Sequence, residues 1–220
     1  MRGATDIIAP VRPPLTRERI IESAVAFADT HGIEELSMRR LGAELGVEAM
    51  SLYNHVAKKD DILDGMIDDV MGSIPTPATD LGWQEWVRRT GVAAMETLTA
   101  HPWVVTLLLQ RGNFGPSSLG FMDRALGVLR RAGFDDLDAT HVWHLLASHT
   151  MGYALQQTVG TFPQQDPAEA ERLLTSMAQT FPNVGALAPL LVNCVFSYEY
   201  TLGLDIIIEG LQGRLAAGRP

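Results

Sequence analysis

Between residues 48 and 59 the chain gathers hydroxyl, phenol, amide, imidazole and ammonium side chains with no obvious inward position: Ser51, Tyr53, Asn54, His55, Lys58 and Lys59, beside Glu48 and Met50. These groups hydrogen-bond base edges and phosphates, and a short helix can carry them into a major groove. Nothing elsewhere offers a comparable constellation for catalysis. The chain has no GxGxxG, P-loop, HExxH or GxSxG. Its lone Cys194 sits in an apolar run and reads as packing, because uncoordinated cysteine is usually buried. His141 and His144 stand at i, i+3 with His149 five further on, but no acidic or cysteine ligand accompanies them. No enzyme activity, no metal and no cofactor is expected.

The net charge of −9 looks unsuited to nucleic acid, yet it is unevenly spread. Residues 61–220 carry 17 acidic and 9 basic groups, whereas residues 1–60 carry 9 and 8. Both lysines of the protein, Lys58 and Lys59, fall beside Arg39 and Arg40 in a locally positive stretch. Phosphate contact depends on such patches, since distant charge is screened over about 8 Å in physiological salt.

The elements that must position these groups follow from apolar spacing. Residues 1–15, with Pro10, Pro13 and Pro14, read as a flexible arm. Ile20, Ile21, Ala24, Val25, Phe27 and Ala28 share one face of a first helix from Thr16, stopped by Gly32. Ser37 can cap a second helix carrying Met38, Leu41 and Leu45, and a third places Leu52 and Val56 inward. Gly42 leaves room where these two cross and Gly46 supplies the turn, the pattern of a helix-turn-helix. An ordinary helical hairpin with a solvated polar face has the same pattern. A fourth helix, Asp60–Met71, leads to a Pro- and Gly-rich linker, so residues 16–60 form one domain, 61–80 a connector and 81–220 a second domain. Every long segment beyond the linker is helical in period, with Leu119, Met122, Leu126 and Leu129 marking one between Pro116 and Gly133, Asp138 capping a helix to Val159, a segment opening at Pro167, and a last helix from Ala188 to Leu211. The expected fold class is all-α: an N-terminal three-helix domain with the helix-turn-helix pattern and a larger C-terminal helical domain. The body's last helix is apolar over much of its circumference, and Ala147, Gly152 and Ala154 on the Asp138–Val159 helix admit a close partner. A homodimer is expected.

The run LSMRRLGAELGVEAMSLYNHVAKKDDILDGM, Leu36 to Met66, resembles the DNA-binding domain of the tetracycline-repressor family of bacterial regulators. The closing FSYEYTLGLDIIIEGLQ, Phe196 to Gln212, is similar to the last helix of the tetracycline-repressor subgroup. The resemblance implies base contacts from Arg39 and from the third helix, Glu48, Ala49, Met50, Ser51, Tyr53 and Asn54. It implies phosphate contacts from Ser37, Tyr53, His55 and Lys59. Arg39 suits a guanine because its planar fork matches O6 and N7 together; a phosphate contact is the alternative. Tyr53 is either on the reading face or a core-edge residue with its hydroxyl outward.

The second domain is rich in aromatic and sulfur side chains, which either form plain core or wall an apolar cavity. The residues read as an effector site are Trp86, Trp103, Phe114, Trp143, His144, Met151 and Gln156, between the Trp83–Leu98 segment and the Asp138–Val159 helix. The resemblance implies an effector pocket in the same domain. Tetracycline repressors hold a drug–magnesium chelate through a histidine in the segment matching Arg111–Arg124, aided by a later acid. This chain has no histidine there and Gln156 stands about where the acid falls, so a hydrophobic or aromatic effector without magnesium is expected. The expected partners are double-stranded operator DNA, a small-molecule effector and a second copy of the chain, with no membrane and a cytoplasmic location. An enzyme on a helical scaffold and an architectural DNA binder are the competing readings. The first lacks a catalytic constellation; the second needs no aromatic-rich body.

Overall fold

Thr16 opens the first helix by accepting the Arg19 backbone N–H at 3.2 Å, satisfying one of the donors every helix start leaves orphaned. The computed structural model describes residues 13–112, 115–159, 166–193 and 196–217. Most of the expected arm, together with Phe114, Phe162, Cys194 and Val195, lies outside them. All the regular secondary structure among the described residues is helical, with no strand. The chain divides into two units at Met66/Ile67, inside the fourth helix.

The first unit holds α1 (Arg17–His31), α2 (Met38–Leu45), α3 (Ala49–Leu52) and the first half of α4 (Lys59–Ser73). Ile20, Ala24, Phe27, Leu41, Leu45, Leu52, Val56, Ile62 and Met66 are its buried apolar core. Each large side chain taken from water there contributes about 1.5–3 kcal/mol, which four short helices need because none would hold alone.

The second unit holds the rest of α4, then α5 (Trp83–Ala100), α6 (Pro102–Arg111), α7 (Pro116–Arg131), α8 (Asp136–Val159), α9 (Pro167–Ser176), α10 (Pro182–Val192) and α11 (Phe196–Ala217). Helix α8 is central, packing on α5, α6, α7 and α11, while α9 and α10 pack chiefly on each other. Arg88 of α5 ties to Asp205 of α11 at 2.7 Å. Among the described residues no single helix is long and apolar enough to cross a membrane.

Four expectations are corrected. The cap of α8 is Asp135, whose Oδ1 accepts the Asp138 N–H at 2.9 Å, and not Asp138. The last helix expected over 188–211 is two: α10 ends at Val192, where Asn193 Nδ2 donates to the Pro189 carbonyl at 2.8 Å. Pro189 weakens the helix there by lacking an N–H. On α7 the inward row is Ser118, Phe121, Ala125 and Val128, one position out of phase with the expected Leu119, Met122, Leu126 and Leu129; Leu119 is exposed, while Leu129 is buried as expected. On α8, Ala154 is fully buried and Ala147 lines the interior, so of the three small residues only Gly152 is exposed.

Candidate DNA-reading face and apolar cavity

Gly42 and Gly46 set the geometry of the head. Gly46 adopts φ 67°, ψ 35°, the left-handed region that favours glycine. A Cβ on Gly42 would meet the Val47 carbonyl oxygen at 2.9 Å and the Ala49 nitrogen at 3.2 Å. The same approach lets the Val47 N–H donate to the Gly42 carbonyl at 2.8 Å. Buried Leu41, Leu45, Leu52 and Val56 consume the inward positions. Glu48, Asn54 and His55 are left exposed, Ala49 and Ser51 half-buried. Met50 is 75% exposed and Tyr53 45%, so neither belongs to the core.

The cations around this face differ in commitment. Arg40 pairs with Glu35, whereas Arg39 is exposed and no ion pair holds it among the described residues. Ser37 spends its hydroxyl as the cap of α2, accepting the Arg40 N–H at 3.3 Å. Lys59 is exposed at the start of α4 and Lys58 Nζ lies 3.7 Å from Asp60. Asp61 Oδ2 accepts the N–H groups of Ala57 and Lys58 at 2.9 and 3.2 Å. Those two amides are therefore occupied.

Within the second unit, α5, α7 and α8 wall a cavity of about 200 Å³. Trp86, Trp143 and Met151 line it, as do Val87, Ala94, Phe121, Met122 and Leu146. Met71 and Ile74 reach it from α4 and beyond, and Leu204 from α11. Phe121 and Trp143 meet edge to face with centroids 5.9 Å apart. Trp86 anchors its indole by donating to the Pro77 carbonyl at 3.2 Å.

Three expected site residues stand elsewhere. His144 and Gln156 are exposed. Consecutive helical residues point about 100° apart, so Trp143 turning inward sends His144 out. Trp103 is buried in α6 yet is not part of the lining. Sequence reasoning missed Thr90, Gly91 and Ser118 in the wall. Gly91 makes room: a Cβ there would meet Leu204 Cδ2 and the Tyr200 hydroxyl, both at 2.9 Å.

Several polar groups beside the cavity are tied down. Thr150 Oγ1 donates to the Leu146 carbonyl and lies 3.0 Å from the Tyr200 hydroxyl. Burial pushes the Tyr200 phenol pKa up, and the Thr150 bond offsets part of that. His149 stacks on Tyr200 and places Nε2 3.1 Å from its carbonyl oxygen. Asp68 of α4 accepts the Ser118 N–H at 2.9 Å, the Ser117 N–H at 3.2 Å and the Ser118 hydroxyl at 3.1 Å. Burial raises the Asp68 pKa, but these bonds outweigh it and the net shift is downward. No carboxylate or imidazole is among the described lining residues, so the donor set does not fit a drug–magnesium chelate.

Comparison with known proteins agrees with this division of labour. Residues 20–66 match the family described as bacterial regulatory proteins, tetR family. Residues 76–215 match the tetracyclin repressor-like C-terminal domain. The HTH-type transcriptional repressor DrrR1 of Streptomyces coeruleorubidus is 32% identical over 94% of this chain and 81% of its own length. The class D tetracycline repressor of Escherichia coli is 30% identical over 92% of both chains. ActR of Streptomyces coelicolor, solved in complex with actinorhodin, superposes with a TM-score of 0.80 at 32% identity, covering 94% of this chain and 100% of ActR. The chain belongs to the tetracycline-repressor family of bacterial transcriptional regulators.

Proposed function

We propose that this regulator represses transcription as a homodimer on a pseudo-palindromic operator, and that a small hydrophobic or aromatic effector in the α5–α7–α8 cavity releases it. The observation that carries the reading is a shared residue. Ser118 lines the cavity and also donates to Asp68 on α4, the helix that continues into the DNA-reading unit. A ligand that displaces this wall acts on α4 directly, and it shifts the equilibrium only by binding one arrangement better. The complex of ActR with actinorhodin supports an organic effector in this fold.

Arg39, Met50, Tyr53 and Asn54 are assigned to base edges, and His55 and Lys59 to phosphates. Their exposure supports this, and Ser37, Glu48, Ala49 and Ser51 complete the expected interface. Dimerisation is assigned to the outer faces of α8 and α11. Leu145 on α8 and Tyr198, Leu202 and Ile206 on α11 are exposed apolar side chains at helical spacing. A Cβ at Gly152, Gly210 or Gly213 would touch nothing, so a partner helix can approach there closely. Twofold symmetry then requires matching half-sites about one helical turn or somewhat more apart. Acting on the chromosome places the protein in the cytoplasm.

The test is operator binding by fluorescence anisotropy, using duplexes selected by the protein from a random pool, with and without a library of small aromatic compounds in EDTA. Selection of inverted repeats and release by at least one neutral aromatic compound are expected. Selection of asymmetric sites, or release only with magnesium restored, would refute the reading.

A further inference from the structure

One polar atom in the cavity wall has no partner. Thr90 lines the cavity from α5, is 95% buried in effect with 5% exposure, and its Oγ1 accepts and donates no hydrogen bond. The other described polar groups of the wall are engaged: Ser118 with Asp68, Thr150 with Leu146 and Tyr200, and the Trp86 indole with Pro77. A buried hydroxyl without a partner is destabilising, and a folded protein retains few of them. A helical threonine has two accessible χ1 rotamers, so the hydroxyl and the methyl can exchange places against the cavity.

We propose that Thr90 is the hydrogen-bonding anchor of the effector, and that the effector is a neutral fused-ring compound carrying one hydroxyl or carbonyl oxygen placed against α5. The inference rests on the reading of this cavity as the effector site. Neutrality follows from the lining, which holds no charged side chain among the described residues; a charge entering it would be stripped of water without compensation. Ring number follows from volume. An apolar cavity of about 150 Å³ takes benzene, so one of about 200 Å³ takes two fused rings without enlargement. The single oxygen follows from the wall: among its described residues Thr90 alone is left to receive one, as donor to a carbonyl or acceptor from a hydroxyl.

The probes are 1-naphthol and naphthalene, titrated calorimetrically into the wild-type protein, Thr90→Val and Thr90→Ser, with operator anisotropy followed in parallel. The wild type should hold 1-naphthol about five- to tenfold tighter than naphthalene, the worth of one neutral hydrogen bond. Thr90→Val should abolish the preference by weakening 1-naphthol alone, and Thr90→Ser should restore it. Without ligand, Thr90→Val should melt about 2–4 °C higher, since it removes the unsatisfied hydroxyl and keeps the shape. A preference that survives in Thr90→Val, or a wild type that shows no preference or binds neither compound, would overturn the assignment. Thr90-dependent binding of 1-naphthol without operator release would leave the anchor standing and remove the effector reading instead.

Discussion

Replacing Asp68 by alanine should uncap α7 and loosen α4 together. Helix α7 begins at Pro116 after Gly115, which has no side-chain oxygen to serve as a cap. Asp68 supplies it from 49 and 50 residues away, accepting the Ser117 and Ser118 N–H groups at 3.2 and 2.9 Å. Losing a side-chain cap costs about 1 kcal/mol, and losing a negative charge at the positive end of a helix adds about 0.3–1 kcal/mol. Asp68 is only partly buried, so solvent screening keeps the total near 1.5 kcal/mol. For a chain of this length that lowers the melting temperature by about 3–6 °C. Asp68→Asn, which keeps an acceptor but not the charge, should lose about half as much. The pH dependence has a definite sign. The folded carboxyl titrates below its ordinary value, so its stabilisation is fully present above the unfolded pKa of about 3.9 and disappears as pH falls through the lower folded value. The gap between wild type and Asp68→Asn should therefore be constant near neutrality and close on acidification below about pH 4. Thermal melts from pH 7 to pH 3 measure it. An Asp68→Ala protein melting within about 1 °C of wild type at pH 7, or a gap that widens with acid, would refute the capping argument.

Gly42→Ala should cost about 1–3 kcal/mol and reduce operator affinity, because the obstructing atoms are backbone of Val47 and Ala49 and cannot rotate aside; denaturant unfolding and anisotropy check both. Arg39→Ala should lose about 1–3 kcal/mol of discrimination at one base pair, whereas Lys59→Ala should weaken all duplexes equally and reduce the salt slope by about 1. An even loss on specific and random DNA would remove Arg39 as a base reader. Ile206, 60% exposed on α11, should as lysine give a helical monomer in sedimentation at micromolar concentration; a dimer of unchanged stability would move the interface elsewhere.

The head was legible because its constraints are local. Gly42 and Gly46 stand four residues apart, and the apolar positions that close the turn lie within a few turns of helix on either side. Once those are assigned inward, Met50, Asn54 and His55 have nowhere to go but out. The body was legible only in kind. Trp86, Trp143 and Met151 carried the aromatic and sulfur signal that pointed to a cavity, but adjacent His144 could not be phased on a helix whose apolar residues surround it. Leu119 failed for the same reason: Leu and Met at every phase of α7 conceal which row faces inward. Residues 184–192 are nearly all apolar or small, so no period marked the end of α10. Asp68 and Thr90 left no trace at all. One caps a helix about fifty residues away and the other is defined by a missing hydrogen bond, and neither relation exists at the level of spacing.

The central claim is that filling the cavity releases DNA through the wall that Ser118 and Asp68 share. The most direct measurement is the operator dissociation constant, by anisotropy in EDTA, for wild type and Asp68→Asn as a bound aromatic ligand is raised to saturation. Wild type should weaken by at least about tenfold, a coupling of about 1.4 kcal/mol, while Asp68→Asn should bind the ligand as well and release operator distinctly less. Saturating ligand that leaves the wild-type operator constant unchanged would contradict the account.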